Sequence, residues 1–240
     1  MTATLGNPNF TGAYLTMCFP FAYLLLGSKS VTKAVIIFLF GIAILLTQSR
    51  GSMGVFLFIV VLMALPYRHF PLVLFGSITI GAVLIFGILY RQPSLFDNRL
   101  LIWQRGIEAF RQKPIFGWGL ENFDAAFQST LSNKPYDYDL REIRVDKAHN
   151  EFIEVAVASG IFSLITYISL LIVSLRTLLR RRDQLLVRMS LFSFVAFIFL
   201  SSVNVVSISA YYVFYIILGY ASHTHDNPND MYIERHSAKN

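Results

Sequence analysis

Long apolar runs, separated by short polar or charged stretches, dominate the chain. A helix rises about 1.5 Å per residue, so about 17 to 25 mostly apolar residues cross a hydrocarbon core of about 30 Å. By this rule the pattern predicts seven spans. They lie at about residues 10–27, 33–66 (two spans), 70–90, 152–179, 185–202 and 206–221. We therefore expect an all-α, polytopic transmembrane helical bundle.

The apolar stretch between Lys33 and Pro66 is interrupted only by residues 47–52. One long tilted helix would put Lys33 and Arg68 on opposite sides of the membrane, whereas a hairpin of two short spans puts them on the same side. Lys and Arg concentrate in cytoplasmic loops, so the charges favour the hairpin. Arg50 then lies at its outer tip, and the N-terminus and residues 91–150 lie outside.

The outer loop has helical patterns of its own. Asn98 is suited to cap a helix that runs from Arg99 to about Gln112, where Pro114 follows. Its apolar face should lie on the membrane or on the bundle. That face carries Leu100, Trp103, Ile107 and Phe110. A second short amphipathic helix is marked by Phe123, Phe127 and Leu131.

These patterns divide the chain into four segments. Residues 1–90 carry four spans, residues 91–150 form the outer loop, residues 151–222 carry three spans, and residues 223–240 form a polar tail. Because the tail lacks apolar periodicity, we expect it to be disordered in the cytoplasm.

Composition supports residence in a membrane and excludes several functions. The chain is 55% hydrophobic and 14% charged, whereas soluble domains are about 25% charged. Its net charge of +6 comes from clusters beside apolar runs, so no nucleic-acid partner is expected. The single cysteine, Cys18, lies in an apolar run. We see no phosphate loop and no metal-binding pattern, and therefore expect neither a metal nor another cofactor.

Two arginines at the outer boundary are candidate anion ligands. Arg50 is flanked by apolar runs, so it either meets an anionic partner or caps a tight turn that faces water and lipid headgroups. Arg99 falls in the first turn of the loop helix, where free backbone N–H groups and the helix dipole favour a phosphate. The alternative for Arg99 is a surface arginine beside Asp97.

His149 directly precedes the span that begins near Phe152. An imidazole is suited to take a proton from a hydroxyl group, and Asp146 or Glu151 is close enough in sequence to orient it. A histidine at the start of a helix also serves as a capping or interfacial group. Both interpretations stay open at this level.

Four motifs together resemble the conserved-domain half of the O-antigen ligase and O-antigen polymerase family of bacterial envelope glycosyltransferases. The motifs are Gly6–Tyr14 opening a span, Thr47–Gly51 at a span end, Arg99–Trp103 leading to Pro114–Phe123, and Ala148–Phe152 before Gly160 and Ile161. Their order and spacing carry the likeness. Family members usually have further spans before the first motif. The chain therefore looks like a C-terminal portion, which we expect to be inactive if it is truly truncated.

The resemblance implies a metal-independent transferase at the periplasmic face of the bacterial inner membrane. It would move a glycan from a polyprenyl-diphosphate donor to a hydroxyl of lipid A core, a polysaccharide or a protein. Its N-terminus would be periplasmic and its C-terminus cytoplasmic. The competing functions are a polysaccharide flippase or transporter, which should carry charges near mid-membrane, and a non-catalytic membrane component.

The resemblance also assigns roles to residues. Arg50 and Arg99 would hold the diphosphate, and His149 would be the base. Asp146, Asn150 and Glu151 are expected to support the histidine. Aromatic side chains of the loop would stack on sugars or anchor the loop at the interface. These are Trp103, Trp118, Tyr136 and Tyr138.

Overall fold

A computed structural model describes residues 6–26, 29–64, 97–131, 144–181 and 184–223. These residues form eight α-helices and no strand, which confirms the all-α prediction. The helices are α1 (Pro8–Leu26), α2 (Ser30–Thr47), α3 (Arg50–Ala64), α4 (Asp97–Gln112), α5 (Phe123–Ser129), α6 (Glu151–Arg180), α7 (Leu185–Val203) and α8 (Ile208–His223).

Six of these helices correspond to predicted spans. Helices α1, α2, α6 and α7 are long and apolar enough to cross a membrane, and α3 and α8 are shorter apolar helices. Their bounds lie within a few residues of the predicted ones. The predicted span at residues 70–90, together with Arg68 and the tail after residue 223, lies outside the described residues. The count of seven spans therefore stays a prediction.

Helices α2 and α3 form the hairpin that the charges predict. Gln48 adopts a left-handed backbone conformation with φ of 58°, and its N–H donates to the carbonyl of Leu45 at 3.0 Å, which ends α2. Ser49 Oγ then accepts the N–H of Ser52 at 3.4 Å at the start of α3. The chain thus reverses within two residues.

Helix α7 is the centre of the bundle. It packs against α1, α3, α6 and α8 and is apolar on all sides, as expected for a helix surrounded by others. The ring of Phe197 stacks on that of Phe214 in α8, with centroids 4.3 Å apart. Ser193 Oγ donates to the carbonyl of Met17 in α1 at 2.7 Å. This helix therefore holds α1 and α8 together.

The helix ends divide into two groups. Contacts between Ser49 and Asn9, between Arg99 and Val203, and between Glu151 and Val206 gather one end of every apolar helix with α4 and α5. The described basic residues near the opposite ends are Lys29, Lys33, Arg176, Arg180, Arg181 and Arg188. Here we call the first group the site end and the second the basic end.

Helices α4 and α5 pack on the first turns of α6 at the site end, and both lie where the sequence predicts short helices. Their small core contains Ala109, Phe127 and Val157. The predicted apolar face of α4 is split, because Leu100 and Ile107 remain exposed. The reason is Gly106, where an added Cβ would lie 2.7 Å from Ile153 Cγ2. The helix comes closest to α6 at this glycine, and its Ile102 and Phe110 are partly buried against the small core.

Candidate active site

Arg50 is the first residue of α3, and its side chain is exposed at the site end. The turn before it is fixed by Ser49 Oγ, which lies 2.8 Å from Asn9 Oδ1 and 2.9 Å from Ser52 Oγ. Gly12 permits this contact, since an added Cβ would lie 2.6 Å from Ser52 Oγ. The first two sequence motifs therefore form one packed unit that presents Arg50.

Arg99 lies in the first turn of α4 and reaches the end of α7. Its Nη1 donates to the carbonyl of Val203 at 2.8 Å. A cation at this position is favourable because the last carbonyls of a helix carry partial negative charge. Arg99 is half-buried, and burial lowers the pKa of its guanidinium from the usual value.

Val203 also connects the two arginine segments. A Cβ added to Gly51 would lie 3.4 Å from Val203 Cγ2, so the residue after Arg50 packs on the same valine that Arg99 contacts. The carbonyl of Ser202, one residue earlier, accepts the side-chain N–H of Asn150 at 2.9 Å. Three separate segments therefore meet at the last turn of α7.

His149 sits in the turn that leads into α6 and has a left-handed backbone conformation with φ of 51°. Its imidazole is half-buried. Burial is the main cause that lowers the pKa of His149, the positive charge of Arg99 lowers it further, and Asp146 raises it. The structure thus places the imidazole within the electrostatic reach of Arg99, and the lowered pKa favours its neutral form.

Both backbone polar groups of Ala148, the residue before His149, form hydrogen bonds with side chains. Glu154 Oε2 accepts the N–H of Ala148 at 2.7 Å, and Trp103 Nε1 donates to the carbonyl of Ala148 at 3.0 Å. Ala148 and Glu154 are both buried. Unpaired buried backbone groups are costly, so these two bonds favour one conformation of the turn.

Asn150 and Glu151 anchor the start of α6. Asn150 Oδ1 accepts the N–H of Ile153 at 3.2 Å and caps the helix. The carboxylate of Glu151 is buried and accepts from Tyr211 Oη at 2.5 Å and from the N–H of Val206 at 2.9 Å. Glu151 therefore ties α6 to α8. Of the two acids considered for orienting the imidazole, Asp146 is the one whose charge acts on His149.

The loop at residues 114–119 forms hydrogen bonds with α6 where that helix is interrupted. Helix α6 is interrupted at Gly160, where φ is 79° and ψ is −173°. The carbonyls of Val157 and Ala158 accept the N–H groups of Trp118 and Gly119 at 2.8 and 2.9 Å, and Pro114 accepts that of Ile161 at 2.8 Å. The loop thus supplies hydrogen bonds that the interrupted helix lacks.

The O-antigen ligase family model matches residues 35–168, which is more than half of the 240-residue chain. The chain belongs to the O-antigen ligase family. No curated protein matches it. The matched range contains Arg50, Arg99 and His149, whereas the motif at residues 6–14 and the helices α7 and α8 lie outside it.

Within this O-antigen ligase family member, several residues have structural partners that the sequence alone did not indicate. Glu154 lies about one turn after Glu151. A second acidic residue in the first turn of a span is the sequence feature from which its role could have been predicted. Trp118 Nε1 donates to the carbonyl of Ala109 at 2.8 Å, and Lys113 Nζ lies 3.9 Å from the centroid of its ring. Trp118 is therefore a packing residue of the loop. Tyr136 and Tyr138 lie outside the described residues.

Proposed function

We propose that this O-antigen ligase family member transfers a glycan from a polyprenyl-diphosphate donor to an acceptor hydroxyl at the periplasmic face of the inner membrane. The observation that carries the proposal is the meeting of three segments at the last turn of α7. Arg99 binds Val203 there, the His149 turn is tied to Ser202 through Asn150, and Gly51 packs on Val203. Two guanidinium groups and one neutral imidazole thereby belong to one end of the bundle.

The orientation follows from the distribution of charge. The basic end carries six lysine and arginine residues in short connections and at span ends, whereas six of the seven described at the site end lie in the longer segment 97–147. The six are Lys29, Lys33, Arg176, Arg180, Arg181 and Arg188. Basic residues next to spans stay in the cytoplasm, so the basic end is cytoplasmic and the site end periplasmic. In this orientation the N-terminus is periplasmic and α8 leads to a cytoplasmic C-terminus.

The two arginines act on the leaving group. As the bond between the anomeric carbon and the phosphate oxygen breaks, its electron pair stays with the lipid diphosphate, and negative charge grows there. Guanidinium groups fixed at the low-dielectric boundary stabilise this charge more in the transition state than in the bound donor. Arg99 keeps N–H groups beyond the one bound to Val203, and the guanidinium of Arg50 is exposed.

His149 acts on the acceptor. The acceptor oxygen forms the new bond to the anomeric carbon, and its proton passes to the neutral imidazole. A diphosphate leaves without protonation, so one base is sufficient and the carboxyl pair of glycosidases is not needed. A single displacement of this kind inverts the configuration of the anomeric carbon.

The test uses the protein in proteoliposomes with a purified polyprenyl-diphosphate glycan. Lipid A core, polysaccharide and protein acceptors are supplied in parallel. We expect release of lipid diphosphate coupled to a new glycosidic bond, and loss of both on His149→Ala and Arg50→Ala, with unchanged membrane insertion. The matched control is Arg111→Ala, since Arg111 is exposed in the last turn of α4. Transport of intact donor across the bilayer without transfer would instead support a flippase.

A further inference from the structure

A cavity of about 520 Å³ opens at the site end, between the first turns of α6 and α8. Its polar lining comes from Glu121, Lys147, Glu151, Glu154, Ser159, Ser207 and Ser209. Arg50, Arg99 and His149 are not among its lining residues. The cavity is therefore a space separate from the two arginines.

The cavity nevertheless adjoins the segment that carries the proposed base. Lys147 and Glu151 stand two residues before and two residues after His149, and both line the cavity. On the other side, Arg99 contacts Val203, and the cavity lining begins two residues later at Val205. Residues on both sides of His149 therefore border the cavity, while His149 itself is within the electrostatic reach of Arg99.

The charge of the lining does not suit a diphosphate. Three carboxyl groups face one ammonium group, and Lys147 Nζ is already paired with Glu121 at 2.6 Å. Placing a polyanion beside buried Glu151 and Glu154 would be unfavourable, because like charges repel strongly where water is excluded. The donor's diphosphate is therefore better accommodated at the arginines.

The same lining suits a sugar. Carboxyl and hydroxyl oxygens accept hydrogen bonds from sugar hydroxyls, and Ser207 Oγ and Ser209 Oγ, 2.7 Å apart, form a pair that can donate and accept. Apolar walls from Val155 and Ala158 provide contact surface for the C–H faces of a sugar ring. A mostly apolar cavity with a few convergent polar groups is typical of a small-molecule site.

We propose that this cavity is the acceptor subsite, which binds an uncharged, hydroxyl-rich saccharide segment of the acceptor and presents one hydroxyl to His149. This inference rests on the proposed function and adds to it that donor and acceptor bind at different parts of the site end. The donor's diphosphate lies on the arginine side of the His149 turn, and the acceptor sugar lies on the carboxyl side. The attacking oxygen and the leaving oxygen then approach the anomeric carbon from different directions, as a displacement requires.

The test fills the cavity and measures each substrate separately. Proteoliposomes receive purified polyprenyl-diphosphate glycan as donor and, as acceptor, a solubilised envelope extract from cells that lack the protein. Ala158→Phe places a ring in the cavity, and Ser209→Ala removes one hydroxyl with little risk to folding. Ile165→Phe, at an exposed position on the same helix, is the matched control.

We expect Ala158→Phe to raise the KM for acceptor by about tenfold and Ser209→Ala by about threefold, with the KM for donor within about twofold of wild type. The Ile165→Phe variant should match wild type in both. A raised donor KM with an unchanged acceptor KM, or no change in either, would overturn the acceptor subsite while leaving transfer itself established. Absence of transfer by the wild-type protein would instead reject the proposed function, and the subsite with it.

Discussion

Glu154 accepts the backbone N–H of Ala148 at 2.7 Å and so holds the residue that directly precedes His149. The left-handed φ of 51° at His149 is unusual for a residue with a side chain. Such a conformation persists when its surroundings fix it. The bond from Glu154, with that from Trp103 to the carbonyl of Ala148, provides this constraint.

Replacing Glu154 should therefore impair transfer by releasing the turn that carries His149, in addition to removing one carboxyl group from the cavity lining. Glu154→Ala leaves the buried N–H of Ala148 unpaired, which costs about 1–3 kcal/mol. We expect kcat to fall about tenfold or more as the imidazole loses its fixed position. Glu154→Gln keeps an acceptor oxygen and should retain most of the rate.

The matched control for this series is Glu108→Ala on α4, which removes a carboxylate paired with Arg105. Initial rates at saturating donor and saturating acceptor, together with thermal unfolding in detergent, separate positioning from weaker acceptor binding and from stability. A Glu154→Ala protein that unfolds at a lower temperature but turns over at the wild-type rate would show that Glu154 only stabilises the fold.

The pH dependence of transfer should report the charges around His149. The positive charge of Arg99 lowers the pKa of the imidazole, and the negative charge of Asp146 raises it. A base works only when it is unprotonated, so the rate should fall as the pH drops through this pKa. Asp146→Asn should move the acidic limb to lower pH, and Arg99→Gln should move it to higher pH.

Normalised pH–rate profiles check this prediction independently of the absolute rate, which matters for Arg99→Gln because the same residue is proposed to bind the donor. Arg111→Gln is the control and should leave the profile unchanged. If the acidic limb of the pH–rate profile stays in place in both site variants, or moves in the opposite directions, His149 is excluded as the titrating base.

The break in α6 should not tolerate a side chain. A Cβ at Gly160 would lie 2.0 Å from the carbonyl oxygen of Ile115, and one at Gly117 would lie 2.6 Å from that of Ala158. Both glycines also have positive φ, of 79° and 72°. Backbone strain of this kind costs about 1–3 kcal/mol even before the steric clash is counted.

We therefore expect Gly160→Ala and Gly117→Ala to lower the unfolding temperature in detergent. Gly54→Ala in α3 is the control, since an added Cβ there meets no atom within 4 Å and alanine is the better helix former. Its unfolding temperature should stay the same or rise slightly. Equal unfolding temperatures for all three variants would contradict the described contact between the loop and α6.

Much of the bundle was predictable because its signals are local. A run of about 20 apolar residues must be helical in a membrane, since every backbone group needs a partner there. The hairpin at Gln48 followed from the positions of Lys33 and Arg68. The packing of α4 was not predictable in the same way, because Gly106 carries no hydrophobic signal although it makes the close contact with Ile153.

Candidate site residues could be recognised in the sequence only where a charged or polar side chain lies next to an apolar run. Arg50, Arg99 and His149 stand out for that reason. Glu154, Tyr211 and the carbonyl of Val203 do not, because their importance comes from partners in other helices. Glu151 shows how sequence proximity can mislead. It lies two residues from His149, which suggested a contact with the imidazole, but its carboxylate accepts a hydrogen bond from Tyr211.

The most direct test of the account is the affinity of the protein for polyprenyl diphosphate without sugar, measured by competition against the labelled donor. Hydrogen bonds to charged groups contribute about 1.5–3 kcal/mol each. Arg50→Gln and Arg99→Gln should therefore each weaken binding by about 10- to 100-fold, whereas Arg111→Gln should bind as wild type does. Wild-type affinity in both site variants would contradict the claim that these two arginines hold the diphosphate.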